Sequence, residues 1–71
     1  MTDIGFIHIR GRFYQVSCRS EYETLYVKIM GRPSTEKPPG GRYFRGIETF
    51  MHRNPGELIS LERGEEVKIE I

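Results

Sequence analysis

Sixteen consecutive residues, Gly31 to Gly46, limit what this chain can fold into more than any other stretch. The segment GRPSTEKPPGGRYFRG holds four glycines and three prolines. Proline cannot donate to a β-ladder, so Pro33, Pro38 and Pro39 keep the segment out of the centre of any sheet. A β-rich first half must therefore be joined to a mixed second half by a long Gly- and Pro-rich loop over 31–46. Loops of this length inside a compact domain are generally functional or mobile. The segment closes on Arg42, Tyr43, Phe44 and Arg45, two bases around two aromatics, a composition suited to meeting a ligand.

Upstream of the loop the pattern is that of strands. Phe6, Ile7 and Ile9 are β-formers within Ile4–Arg10, with no helix cap before them. Gly11 between Arg10 and Arg12 marks a turn or bulge. In Phe13–Cys18, Tyr14, Val16 and Cys18 share one face, assigned to the core, while Phe13, Gln15 and Ser17 share the other. A polar corner over Arg19–Glu23 leads to Thr24–Met30, where Leu25, Val27 and Ile29 alternate with Tyr26 and Lys28. Three strands in an antiparallel meander are expected.

Downstream, Phe44, Ile47, Phe50 and Met51 recur at spacings of three and four, which predicts a short helix over Arg45–Arg53. A strand over 42–52 is the competing reading, because Tyr, Phe, Ile and Thr are β-formers. Asn54, Pro55 and Gly56 end the helix. Glu57–Ile71 reads as a hairpin turning at Arg63, Gly64 and Glu65, with Leu61 opposite Val67 and Ile59 opposite Ile69 so that the apolar sets share a face. Glu57, Glu62, Glu66 and Glu70 then lie on the wet side or at the strand ends.

The expected fold is mainly β, a five-stranded antiparallel barrel or strongly curved sheet in the order β-β-β-α-β-β with one short helix. That order matches an OB-like barrel, whose helix lies between its third and fourth strands. An SH3-like barrel or an open sheet with one helix packed on it satisfies the same order.

Seventy-one residues make a single domain, 1–71, and a chain this short buries only about 60% of its unfolded surface. A roomy catalytic cavity is not expected. Net charge is only +1, but it is unevenly spread. Residues 28–53 carry six bases against Glu36 and Glu48, and residues 54–71 carry five glutamates against Arg63 and Lys68. Eight of the eleven bases are Arg, whose planar fork suits carboxylate and phosphate.

A single cysteine, Cys18, excludes an internal disulfide and fits a reducing compartment. No apolar run is long enough for a membrane span and the N-terminus lacks a signal-peptide core, so the expected location is cytoplasmic, with no membrane partner.

Catalysis has little to stand on. Cys18 with His8 or His52 is the one nucleophile and base combination, and no Asp or Asn is placed to orient the base. Each has a simpler account: Cys18 as a buried small hydrophobe, His8 as a structural residue, His52 at the negative end of a helix dipole. No cluster has metal-ligand spacing, and Gly40–Gly41–Arg42 is no phosphate-binding signature. No enzyme activity, cofactor or metal is expected.

Binding to another macromolecule remains. Arg and Tyr are enriched at interaction hot spots, which favours a protein partner, with the chain as inhibitor, modulator or small subunit of a larger assembly. Aromatics interleaved with bases also suit single-stranded nucleic acid, the alternative partner. Low net charge and the acidic tail weigh against that alternative, and so does the simpler account of Phe13 and Tyr26 as a cross-strand pair. The candidate binding residues are Arg42, Tyr43, Phe44 and Arg45, with Arg32 and Lys37 as supporting charge and Tyr26 and Lys28 as an adjacent surface. An exposed hairpin edge leaves both monomer and dimer open.

Overall fold

A computed structural model of the protein describes residues 2–70. The three predicted strands are present as β1 (Thr2–Ile9), β2 (Arg12–Glu21) and β3 (Thr24–Ile29), paired as an antiparallel meander. Arg10 and Gly11, with φ of 54° and 77°, form the two-residue turn between β1 and β2. Positive φ at both central positions matches the right-handed twist of the flanking strands. The polar corner over Arg19–Glu23 is instead ladder: β2 and β3 run on until Glu21 faces Thr24, leaving only Tyr22 and Glu23 to turn.

Side-chain alternation fixes the two faces. Ile7, Ile9, Tyr14, Val16, Cys18 and Val27 point to the core, as expected for β2. His8, Phe13, Gln15, Tyr26 and Lys28 belong to the opposite face. Phe13 lies opposite His8 and Tyr26 opposite Arg19, so Phe13 and Tyr26 are not the cross-strand pair that the sequence suggested.

After β3 the chain does not leave the sheet at once. The Met30 N–H donates to the Gln15 carbonyl at 2.7 Å, and Ser34 and Phe13 exchange backbone bonds of 2.6 and 2.9 Å. The segment then crosses the outer face, setting the Lys37 ammonium 5.7 Å from the centre of the Phe6 ring. It reaches the far side of β1 as β4 (Arg42–Tyr43), which pairs parallel to Gly5 and Phe6. Such a crossing spans three strand spacings, about 14 Å, and this is why the loop is long. Beneath it Phe6 is only 7% exposed, although it faces away from the helices. Phe6 packs on Tyr43 at 5.5 Å and edge-on to Phe13 at 6.0 Å. The segment over 31–46 is thus a strap to Gly41, then strand, then the start of a helix.

The helix α1 (Arg45–Arg53) has the predicted limits, with Ile47 and Met51 buried and Phe44 and Phe50 packed against the core. One side chain of α1 completes the sheet edge. β4 pairs β1 only at Gly5 and Phe6, and further along the same edge the His8 N–H donates to the Glu48 carboxylate at 2.7 Å.

The predicted hairpin over Glu57–Ile71 is not formed. Pro55–Glu62 is a second helix, α2, and only Val67–Glu70 is a strand, β5; Ile71 lies outside the described residues. Pro55 occupies the first turn, where its missing N–H leaves no bond unmade. Gly64, at φ 87°, is the left-handed residue that ends α2. The Gly64 N–H donates to the Leu61 carbonyl and the Glu65 N–H to the Ser60 carbonyl, each at 3.0 Å, a Schellman closure. Leu61 therefore does not face Val67 across a ladder; Val67 faces Val27 and Ile69 faces Leu25. The Glu62 carboxylate accepts the buried Tyr14 hydroxyl at 2.7 Å, tying α2 to β2.

The result is mainly β, but with two helices in the order β-β-β-β-α-α-β. The five strands form one mixed sheet ordered β4-β1-β2-β3-β5. Its edge strands β4 and β5 do not meet, so the sheet is open, not a closed barrel. Both helices cover one face, and the strap crosses part of the other. Among the described residues no helix is long and apolar enough to cross a membrane.

Candidate binding site

A cleft of about 510 Å³ opens between β4, the start of α1 and the adjacent end of the sheet. Its position follows from the chain path. Arg42 and Tyr43 run beside β1, Phe44 turns inward as the N-cap of α1, and Arg45 and Gly46 form the first turn of the helix. Arg42, Tyr43, Phe44 and Arg45, the four leading sequence candidates, all line this one cleft.

Its floor is apolar, made by Cys18, Leu25, Ile47 and Ile69 with the half-buried Phe44. Its rim is charged. The Arg42 guanidinium lies 3.4 Å from the Asp3 carboxylate, both well exposed, while Arg45 has no acidic partner among the described residues. Tyr43 is held: its hydroxyl donates to Glu48 at 2.5 Å. That bond, partial desolvation and the Glu48 charge raise the phenol above its ordinary pKa. Of the four candidates, Arg45 is the group left with the fewest attachments.

The other candidates lie elsewhere. Arg32 and Lys37 stand on the strap, around a smaller hollow of about 220 Å³ with Phe13 and Gln15. Tyr26 and Lys28 lie on the open outer face of β3 and line neither cavity; the Arg19 guanidinium sits 4.4 Å from the Tyr26 ring centre and the Lys68 ammonium 5.9 Å. The eight residues therefore divide among three places. Of the floor residues, Leu25, Ile47 and Ile69 carried no functional signal in the sequence, because each of them reads as ordinary core.

Cys18 and His8 sit on opposite faces of the sheet, so they form no nucleophile and base pair. Burial, reinforced by the nearby Asp3 charge, raises the thiol pKa above its usual value. Folding thus favours the protonated thiol. The stability this supplies is complete below the unfolded pKa of about 8.5 and is lost as pH rises through the higher folded value. At pH 8, Cys18 is expected to react with an aromatic disulfide reagent at least roughly tenfold more slowly than free cysteine, with denaturant restoring the rate. A native rate equal to the denatured one would return Cys18 to the list of nucleophiles.

No protein-family model matches the chain, and neither does any curated protein or solved structure.

Proposed function

We propose that this chain is a non-enzymatic binding protein that holds a segment of another protein in the cleft beside α1, as an inhibitor, modulator or small subunit of a larger assembly. The observation that carries the reading is the convergence of Arg42 and Arg45 over the apolar floor, Phe44 included, of a cleft of about 510 Å³ in a chain of 71 residues. An apolar floor with a small number of placed charges is the usual make-up of a recognition site. The charges indicate the ligand. Asp3 and Glu70 also line the cleft, but Arg45 forms no ion pair among the described residues, and its fork suits a carboxylate, so an acidic residue beside a buried aliphatic or aromatic one is the complementary segment. A reducing compartment such as the cytoplasm suits the unpaired Cys18.

Selection from a displayed library of random peptides tests this reading. Enriched sequences are expected to place Asp or Glu within a few residues of Leu, Ile or Phe. The Arg45→Glu variant should shift the selection toward Lys and Arg, since it replaces the rim cation that forms no ion pair among the described residues by an anion, beside Asp3 and Glu70. No enrichment on the folded protein, or the same motif on both proteins, would overturn the proposal.

A further inference from the structure

The strap and the sheet beneath it form a second hollow, apart from the cleft. The hollow of about 220 Å³ is walled by Phe13 and Gln15 of β2 and by Arg32, Lys37 and Pro38 of the strap. It lies below the usual size of small-molecule clefts, about 300–1,000 Å³, and suits a single planar group. We infer that it receives one unstacked base of a single-stranded nucleic acid, with the adjoining phosphates held by Arg32 and Lys37.

Each wall contributes a different interaction. Phe13 is stacked on His8, ring centres 4.1 Å apart and planes within 5°, so its ring is held in place and its remaining surface lines the hollow. Bases stack on such fixed aromatic faces whatever their identity. Gln15, exposed beside it, offers an amide donor and acceptor together, the arrangement that reads a base edge. Arg32 and Lys37 form no ion pair among the described residues. Glu36 is the one acid in the lining, and its backbone N–H is turned to the Ser34 hydroxyl at 3.0 Å.

The surface continues beyond the hollow. Lys28 lies on the same outer face, opposite Ser17, one outward-facing position along β2 from Gln15, or about 7 Å. It too has no acidic partner among the described residues. Two cations at the hollow and a third on the same outer face suit a few nucleotides of single strand, not a duplex, whose bases are hidden.

Anisotropy titrations with labelled 12-nucleotide RNA and DNA homopolymers, each also as a duplex, test the inference on the full chain. Single strands are expected to bind in preference to duplex. With about three phosphate contacts, the logarithmic salt slope is expected near roughly −2, so raising salt from 50 to 200 mM should weaken binding about 20-fold. Arg32→Ala with Lys37→Ala should lower affinity at least roughly tenfold and leave a slope of about −0.7, the value for one phosphate contact. Both side chains are exposed, so melting temperature should hardly move. Gln15→Ala should flatten the differences among the four homopolymers. Arg42→Ala with Arg45→Ala, which alters the cleft alone, should leave single-strand affinity within about twofold. That last variant separates this inference from the protein-binding proposal. No binding at 50 mM salt, equal affinity for duplex, or indifference to the Arg32 and Lys37 changes would overturn it. Competition by a free nucleoside monophosphate as effective as the oligonucleotide would overturn the single-strand assignment as well.

Discussion

Gly5→Ala is expected to lower stability by roughly 2–3 kcal/mol, an effect of the size seen when a well-packed site is overfilled. In a domain this small that corresponds to a fall of about 8–24 °C in melting temperature. Nothing in the conformation of Gly5 itself demands glycine: it is a mid-strand residue, and in the absence of contacts alanine there would be the better choice. The cost comes from its neighbours. A Cβ on Gly5 would run into the Arg42 carbonyl oxygen and lie 2.5 Å from Cε2 of the Phe44 ring. A ring can swing away, but the carbonyl belongs to the backbone of β4, so relief requires β4 to move off β1. Adding Phe44→Leu to Gly5→Ala should therefore recover little of the loss. A melting temperature within about 2 °C of the wild type would mean that β4 does not pack on Gly5.

That contact also ties fold to function. β4 is only two residues long, and it is held by the Gly5 and Phe6 pairing, by the Phe44 N–H donating to the Phe6 carbonyl at 3.0 Å, and by Tyr43 with Glu48. Displacing it moves Arg42 and Phe44 together, and with them one wall of the cleft. Gly5→Ala is accordingly expected to weaken peptide selection even in the fraction of molecules that remain folded.

Gly5 was not legible as a special position in the sequence, and the reason is general. The meander could be read because alternation is a local property: Val16, Cys18 and Val27 declare their face within a few residues, and all three are buried as expected. α1 could be read for the same reason at a period of three to four. The β1–β4 contact joins residues 37 apart in sequence. No local pattern records such a contact, and a glycine that serves it looks like any other. The strap was legible as a long proline-rich loop but not as a crossing, since its length follows from where β4 sits in the sheet. The candidate site followed the same division. Arg42 to Arg45 stood out as a run, whereas Leu25, Ile47 and Ile69 became a cleft floor only when three distant elements met.

The error over Glu57–Ile71 had a different origin, and it yields the sharpest mutational test of the fold. Pro55 and Gly64 each carry two meanings. Proline ends one helix and starts another; glycine turns a hairpin or closes a helix. Read as a hairpin, the segment puts Ile59 and Leu61 on one buried face. Read as α2, it buries Leu58 and Leu61 at a spacing of three and turns Ile59 outward. The structure has Leu61 fully buried and Ile59 49% exposed. Leu61→Ala is therefore expected to cost about 2–5 kcal/mol, comparable with the whole stability of a domain of this size, so that the variant is largely unfolded at 37 °C. Ile59→Ser should change stability by less than about 1 kcal/mol, because a half-exposed side chain loses little on truncation. Gly64→Ala should cost about 1 kcal/mol, since alanine at φ 87° is strained. The discriminating quantity is the ratio of the first two effects, measured by denaturant titration of both variants. Comparable losses at Ile59 and Leu61 would restore the hairpin and remove α2. A large loss at Leu61 alone requires a helical period through this segment, and with it the packing of α2 against the face of the sheet that β3 and β5 share.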